Sequence, residues 1–288
     1  MALGALADIN LVDEAVLSGG TWAAGLPLAN LKAADYVARP ARCEDPSNLA
    51  KSQFQAQLEW PQSVSLVGVV FHTLSRSAAY RLTIAGPDLD LGAPVYQSEW
   101  TPVIPRLWQS RDLPWGSPNW WTGQPLARDL DLYPRNLWIA LPAPVLCGVL
   151  RLEIDDRENL AGYFDLGGLW IVDPWRPTLN FERGRDLSIE IRSLVDEAPS
   201  GRIYGETRRS RRQLAVTWAM LTANEANRLY DAGMRAGTTK PVLFVPDQDD
   251  GASLLRECWP ATFGAPPAPK FGWEGLHTVS ATFREIIA

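Results

Sequence analysis

Histidine is almost missing from this chain. Only His72 and His277 occur in 288 residues, and both fall in runs that read as strands. A histidine in a strand is packed or surface-facing far more often than it is catalytic. Cysteine is scarce too: Cys43, Cys147 and Cys258 lie far apart. No CxxC or Cys/His cluster exists, so no zinc signature is present, and an odd count suits reduced thiols in a protein made in a cytoplasm. There is no H-E-x-x-H, no Walker loop and no G-x-G-x-x-G, and no G-x-S-x-G elbow. These gaps predict a protein that is not an enzyme and has no catalytic residue, metal or cofactor. The longest apolar run, VSLVGVVF, is too short to cross a bilayer. The first residues, MALGALADINLVDEAVL, carry acids early and no basic segment, unlike a signal peptide. An excess of positive charge is absent as well. The net charge is −6 and the pI about 5.1, which argues against general nucleic-acid binding. No membrane association is expected.

What the chain does have is apolar bulk. Hydrophobic residues make up 46%, charged residues 21%, and there are thirteen tryptophans, enough for one large or two ordinary globular domains. Short alternating runs dominate. Phe54, Ala56, Leu58 and Trp60 share one face, as do Tyr80, Leu82 and Ile84, then Leu137, Ile139 and Leu141, then Leu150, Leu152 and Ile154. Period-two patterning bounded by Pro and Gly predicts half-buried antiparallel strands. SLVGVVFHTL, apolar on both faces, predicts a central strand, and GYFDLGGLWIV one more, with a bulge at Gly167–Gly168. The expected fold class is therefore mainly β, with a β-sandwich over residues 1–175.

DPWRPTLNFERG (Asp173–Gly184) breaks the pattern and predicts a junction, so residues 176–288 form a second β domain. Within it, Leu214, Val216, Trp218 and Met220 alternate. LTANEANRLYDAGMRAG is the clearest helix, expected over 222–236. Thr222 and Glu225 are spaced as a capping box, and Gly237 suits the C-terminal cap. Ala226, Leu229, Tyr230, Gly233 and Met234 fall on one stripe, expected to face a core. KPVLFVPD and HTVSATFREII predict the remaining strands.

Charged groups offer weak chemistry. Asp155, Asp156, Glu158 and Asp165 could supply the paired carboxylates of a glycosidase, but the first three look like a solvated turn at a strand end. DQDDG (Asp247–Gly251) fails as a calcium loop, since Ala252 and Cys258 stand where that loop needs Gly and Glu. Arg208, Arg209, Arg211 and Arg212 form a basic run. Alternation along a strand would divide them between two faces, so a subunit interface is favoured over nucleic acid, with Asp247, Asp249 and Asp250 as the acidic counterpart.

The order of features carries a resemblance. ANLKAADYVARPARCED, FQAQLEW, LVGVVFHTLS and CGVLRLEIDDRENLAGYFDLGGLWI together resemble the galactose-binding-like (discoidin or F5/8-type) β-sandwich over residues 1–175, a fold often carried by tailed-phage tail proteins. GRIYGETRRSRRQLAVTWAMLTANEANRLYDAGMRAGTTKPVLFVPD, strand–strand–capped helix–strand, is similar to the tube-forming β-sandwich with one helix of tail-tube and distal-tail proteins. The resemblance implies a structural component of a siphophage tail tip or baseplate, a ring-forming distal-tail-like protein that contacts other tail proteins, with the hexamer as the ring order of the proteins it resembles. It further implies a virion-tail location after synthesis in the host cytoplasm. Distal tail proteins often place the ring domain first, whereas here it would come second. The alternative is a carbohydrate-binding module that recognises a host-surface glycan.

WTPVIPRLWQSRDLPWGSPNWW bears on that choice. Pro114, Gly116 and Pro118 rule out a helix or central strand across it, and an irregular stretch longer than about 15 residues is usually functional or disordered. Trp108, Trp115, Trp120 and Trp121 are the candidate contacts. They could close the sandwich end as a lid, bury against a neighbouring subunit, or stack on a sugar.

Overall fold

A computed structural model describes residues 4–33, 36, 38–132, 135–181, 185–197, 199–272 and 275–287. Ala34, Asp35 and Val37 of the first quoted stretch, and Glu182, Arg183 and Gly184 of the expected junction, lie outside the described residues. The chain is mainly β. It divides into two units: Ile9–Pro174 with Pro246–Cys258, and Met1–Asp8 with Trp175–Val245 and Trp259–Ile287. This differs in two places from a single cut after residue 175. Ala5–Ala7 pairs antiparallel with Val242–Val245, placing Leu6 opposite Phe244, so its three buried apolar residues fill the second unit. Residues 246–258 return to the first unit, where Gln248 Nε2 donates to the Ser65 carbonyl at 2.7 Å and Trp138 Nε1 to that of Cys258 at 3.0 Å. Reading along the chain assumes that neighbours in sequence share a domain, and strand pairing overrides that assumption here.

The first unit is organised by a seven-stranded sheet in the order Gly168–Val172, Gln53–Val70, Leu137–Asp155, Ala79–Ala85, Tyr96–Gln97, with Val16–Ser18 and Thr101–Pro102 added at the sides. A two-stranded sheet, Ala41–Cys43 with Phe164–Leu166, shares its core. Trp22 sits between them, edge-on to Phe54 at 6.1 Å and to Phe164 at 6.2 Å. Two pairs of expected strands prove to be single long ones. FQAQLEW and SLVGVVF are continuous over Gln53–Val70, and NLWIALP and VLRLEID over Leu137–Asp155. The two pair with each other, with register shifts between Gln57 and Gln62 and between Val64 and Leu66. Pro61, Pro142 and Pro144 lie at these irregularities, where a missing N–H leaves no ladder bond unmade. Trp60, next to Pro61, is 60% exposed and leaves the buried face of Phe54, Ala56 and Leu58. GYFDLGGLWIV is not one strand. It changes sheets at Gly167, with Phe164–Leu166 in one sheet and Gly168–Val172 in the other.

The second unit has a six-stranded sheet in the order Ala5–Ala7, Val242–Val245, Pro260–Phe271, His277–Glu285, Arg211–Leu221, Asp186–Glu190. Helix α1, Ala223–Ala236, packs on it with Ala226, Leu229, Ala232, Gly233 and Ala236 buried. A Cβ on Gly233 would press on the Pro267 ring; the absent side chain lets the helix approach. The expected stripe was turned by part of a helical turn: Tyr230 is 47% and Met234 70% exposed. The cap is as expected, with Thr222 Oγ1 accepting from Glu225 N–H and Glu225 Oε2 from Thr222 N–H at 2.9 Å. Burial alone would raise the pKa of Glu225, but hydrogen bonds from Thr178 and Thr222 bring it down to about 2. Buried Asp8 receives Arg228 at 2.7 Å and Arg235 at 2.6 Å, tying the N-terminal residues to α1. A second helix, α2 (Gly251–Glu257), belongs to the first unit and was not expected. Asp250, read as part of an acidic turn, is its N-cap and accepts from Ala252 N–H at 2.9 Å.

Candidate functional site

The tryptophan loop is folded by its own polar groups. Gly123 closes it: its carbonyl accepts from Leu107 and Trp108 N–H at 2.9 and 3.1 Å, and its N–H donates to the Asn119 carbonyl at 2.7 Å. Gly123 has φ +62, and a Cβ there would strike the Trp108 carbonyl oxygen, so only glycine fits. Arg106 braces the loop, donating from Nε to the Trp108 carbonyl at 2.8 Å and from Nη2 to Ser110 Oγ at 2.9 Å. Ser110 Oγ passes the chain of bonds on to the Trp120 carbonyl at 2.9 Å. Buried Asn119 donates to the Gln124 carbonyl, and Gln124 Nε2 to that of Ile104, both at 2.8 Å. Every second or third residue of a segment rich in Pro, Gly, Ser and Asn thus finds a local partner, as turn chemistry allows.

On this frame the indoles divide. Trp108 and Trp120 are half-buried, and the Arg256 guanidinium lies 6.0 Å from the Trp108 ring. Trp115 and Trp121 are each 85% exposed and cover no core, which removes the lid reading for these two. Trp115 touches the Trp120 ring edge-on, with centroids 5.0 Å apart.

Two depressions adjoin the loop. A groove of about 790 Å³ has an apolar floor that includes Ile104, Leu137, Trp138 and Leu255. A shallower one of about 650 Å³ includes Pro118, Glu158, Asn159 and Leu160. Arg76, Ser77, Thr122 and Gln124 line both. The Arg76 guanidinium donates to Thr122 Oγ1 at 3.1 Å, forming the ridge between them. Tyr80, in the deeper groove, has its phenol pushed up to about 12, chiefly by burial, so it stays a neutral hydrogen-bonding group.

The acidic residues hold structure. Asp156 is buried and accepts from Ser75 N–H at 3.1 Å, from Ser75 Oγ and from Asn159 Nδ2 at 2.7 Å, tying the 75–77 turn to the 156–162 turn. Asp155 pairs with Arg157 at 2.7 Å and Asp165 with Arg42 at 2.7 Å. His72 lies just beyond its strand and is fully buried. Loss of hydration, reinforced by nearby Arg135, pushes its pKa down to about 3. His277 is buried at the start of the last strand.

The arginine run is largely used within the chain. Arg208 meets Glu206 at 2.8 Å and Arg211 meets Glu190 at 2.7 Å. Arg212 pairs with buried Glu285 and lies 4.2 Å over the Trp259 ring. Arg209 is exposed. The acidic counterpart belongs to the other unit, and Asp247 and Asp250 cap local backbone there: Asp247 accepts from Asp249 N–H at 2.9 Å, Asp250 from Ala252. The structure therefore does not bring the arginines and aspartates together within one domain. Sequence reasoning missed Arg76, Thr122, Gln124 and Asn136, which are scattered over sixty positions with no motif linking them.

No family model matches this chain, and no curated protein does. Solved structures overlap it. The lectin binding domain of lectinolysin, in a mutant complexed with Lewis b, matches at 9% identity over 57% of this chain and 94% of that one, TM-score 0.37. The family 32 carbohydrate-binding module from C. perfringens NanJ, in complex with galactose, matches at 9% over 59% and 98%, TM-score 0.36. SpGH29 matches at 12% over 58% of this chain, which spans only 28% of that one, TM-score 0.36.

Proposed function

We propose that this protein binds glycans without catalysis, through the end of its first unit that carries the tryptophan loop. One observation carries the reading: two almost fully exposed indoles, Trp115 and Trp121, stand on a hydrogen-bonded loop whose Arg106, Pro118 and Thr122 border grooves edged with Arg, Thr, Gln, Asn and Glu side chains. A sugar offers an apolar C–H face for an aromatic ring and a rim of hydroxyls for side chains of that kind. Titration calorimetry with galactose and lactose is the test. Saturable binding that disappears in Trp115→Ala/Trp121→Ala, at an unchanged melting temperature, is expected. A parent that binds no sugar, or a double variant that binds like it, refutes the reading.

A second reading, assembly as a ring in a phage tail tip, is favoured by a separate observation in the other unit. The edge strand Asp186–Glu190 exposes Leu187 and Ile189. Beyond it, Leu194–Glu197 and Ile203–Glu206 form a two-stranded sheet of their own among the described residues and expose Leu194, Val195, Ile203 and Tyr204. A two-stranded hairpin is marginal alone in water, and an exposed apolar edge invites another chain. In this reading the arm, rather than the arginine–aspartate pairing, joins copies of the chain in a virion tail. Sedimentation velocity decides it. Self-association weakened by Val195→Asp/Ile203→Asp is expected, and a parent monomeric at all concentrations, alone and with tail proteins, excludes it.

A further inference from the structure

The deeper groove has a chemistry of its own. Its charged lining is Arg76, Arg106 and Asp249, a positive balance on a chain whose net charge is −6. Arg76 and Arg106 hydrogen-bond to hydroxyl and carbonyl oxygens, Thr122 Oγ1, Trp108 O and Ser110 Oγ. Among the described residues neither has a carboxylate within ion-pair distance. Arg42, Arg81, Arg211, Arg212 and Arg228 each have one. Asn136, which lines the groove from below, is only 2% exposed. Its Oδ1 accepts from Phe71 N–H at 3.1 Å, which fixes the amide, while its Nδ2 makes no hydrogen bond. A buried donor left unmade is unfavourable, and one lining a cleft of ligand size points to an acceptor supplied from outside. Leu254 and Leu255 complete an apolar floor beside it.

We propose that this groove receives an N-acylated acidic sugar at the end of a glycan. The carboxylate meets Arg76 and Arg106 at the rim, the acyl carbonyl accepts from Asn136 Nδ2, and the acyl methyl rests against Leu254 and Leu255. A neutral hexose satisfies the indoles but leaves the arginines and the amide without their ligands, so one ligand class explains three features that a plain hexose does not. The inference rests on the glycan reading and adds the identity of the terminal residue.

The probes are 3′-sialyllactose, 3′-sulfated lactose and lactose, titrated into the full chain by calorimetry. 3′-Sialyllactose is expected to bind at least about tenfold tighter than lactose, the size of one charge-assisted hydrogen bond. The advantage should shrink at about 1 M salt, where screening reaches to about 3 Å. Arg76→Gln should lower affinity for 3′-sialyllactose more than affinity for lactose, so that the preference between them falls. Arg76→Lys, which keeps the charge, should restore part of it. Asn136→Asp keeps the acceptor for Phe71 N–H and replaces the donor, and should lower affinity for 3′-sialyllactose more than for sulfated lactose. Equal binding of all three probes, or a sialyl preference unchanged in Arg76→Gln, overturns the acidic-sugar inference and leaves the glycan reading standing. Equal preference for sulfated and sialylated probes overturns the N-acyl assignment. Binding of none of the three overturns both readings.

Discussion

Two regions of this chain hold apolar side chains away from any core, and they do so by opposite means. The loop from Leu107 to Gly123 is tied by its own turns, by Arg106 and by Asn119, so the backbone that carries its exposed indoles is held by hydrogen bonds. The arm from Asp186 to Glu206 is a sheet edge followed by a hairpin that, among the described residues, forms a two-stranded sheet of its own. Its apolar residues Leu187, Ile189, Leu194, Val195, Ile203 and Tyr204 are exposed. A small polar ligand needs rigid aromatic faces and hydrogen-bonding neighbours, which the loop has. A two-stranded hairpin with an exposed apolar face is marginal by itself and gains stability when another surface covers it. Exposure alone therefore does not name a ligand; what surrounds and braces the exposed group does.

Substitutions can break this contrast. The largest effect is expected at the arm's base. Arg212→Glu would set a second carboxylate against buried Glu285. Removing one partner of a buried pair destabilises by about 3–5 kcal/mol. Chemical denaturation should show a large loss of stability in the second unit. If the variant instead melts like the parent and only changes its sedimentation, Arg212 is an interface residue and the arm has a charged docking face after all.

Acid should separate the two units next. The folded pKa of His72, about 3, lies below the ordinary value of 6.5. The unfolded chain therefore takes up the proton first, and stability is lost as pH falls from 6.5 towards 3. Glu225 in the other unit, at about 2 against 4.5, contributes stability above pH 4.5 that is lost only as pH falls towards 2. Hydrogen exchange along the chain should thus show the loop-bearing unit opening at the higher pH. Replacing His72 with a neutral residue of similar shape, as in His72→Gln, should remove the upper part of that transition. Opening in the reverse order would contradict the assignment.

A smaller loss is expected at the loop's closure. Gly123→Ala forces a side chain at φ +62 against the Trp108 carbonyl, a strain of about 1–3 kcal/mol. Sugar binding should weaken together with the melting temperature, whereas Trp121→Ala should weaken binding alone. Equal binding by Gly123→Ala and parent would mean that the platform does not depend on a rigid loop. The smallest effect is at Met234, which is exposed. Met234→Asp should change stability by no more than about 0.5 kcal/mol in urea unfolding, and a large loss would mean that something covers that side of α1 in solution.

Much of the architecture was legible in the residues because it depends on local rules. Phe54, Ala56 and Leu58, or Leu150, Leu152 and Ile154, alternate because a strand places every second side chain on one face. Thr222 and Glu225 name a helix start because a capping box is closed within four residues. Trp60 and Met234 were misplaced for the opposite reason. Period alone cannot tell that a strand bends at Pro61, or which part of a helical stripe the small residues Ala232 and Ala236 will occupy.

Local patterns in the chain already imply that this protein is mainly β, that a helix is capped at Thr222, and that a loop rich in tryptophan interrupts the first unit. Each of these follows from interactions between residues close in the chain. Long-range packing settles which indoles face solvent, that residues 4–8 and 246–258 exchange units, and that Arg76, Arg106, Thr122 and Asn136 line one groove. Such decisions rest on pairing between segments far apart in sequence, whose register is settled by the packing of both partners at once.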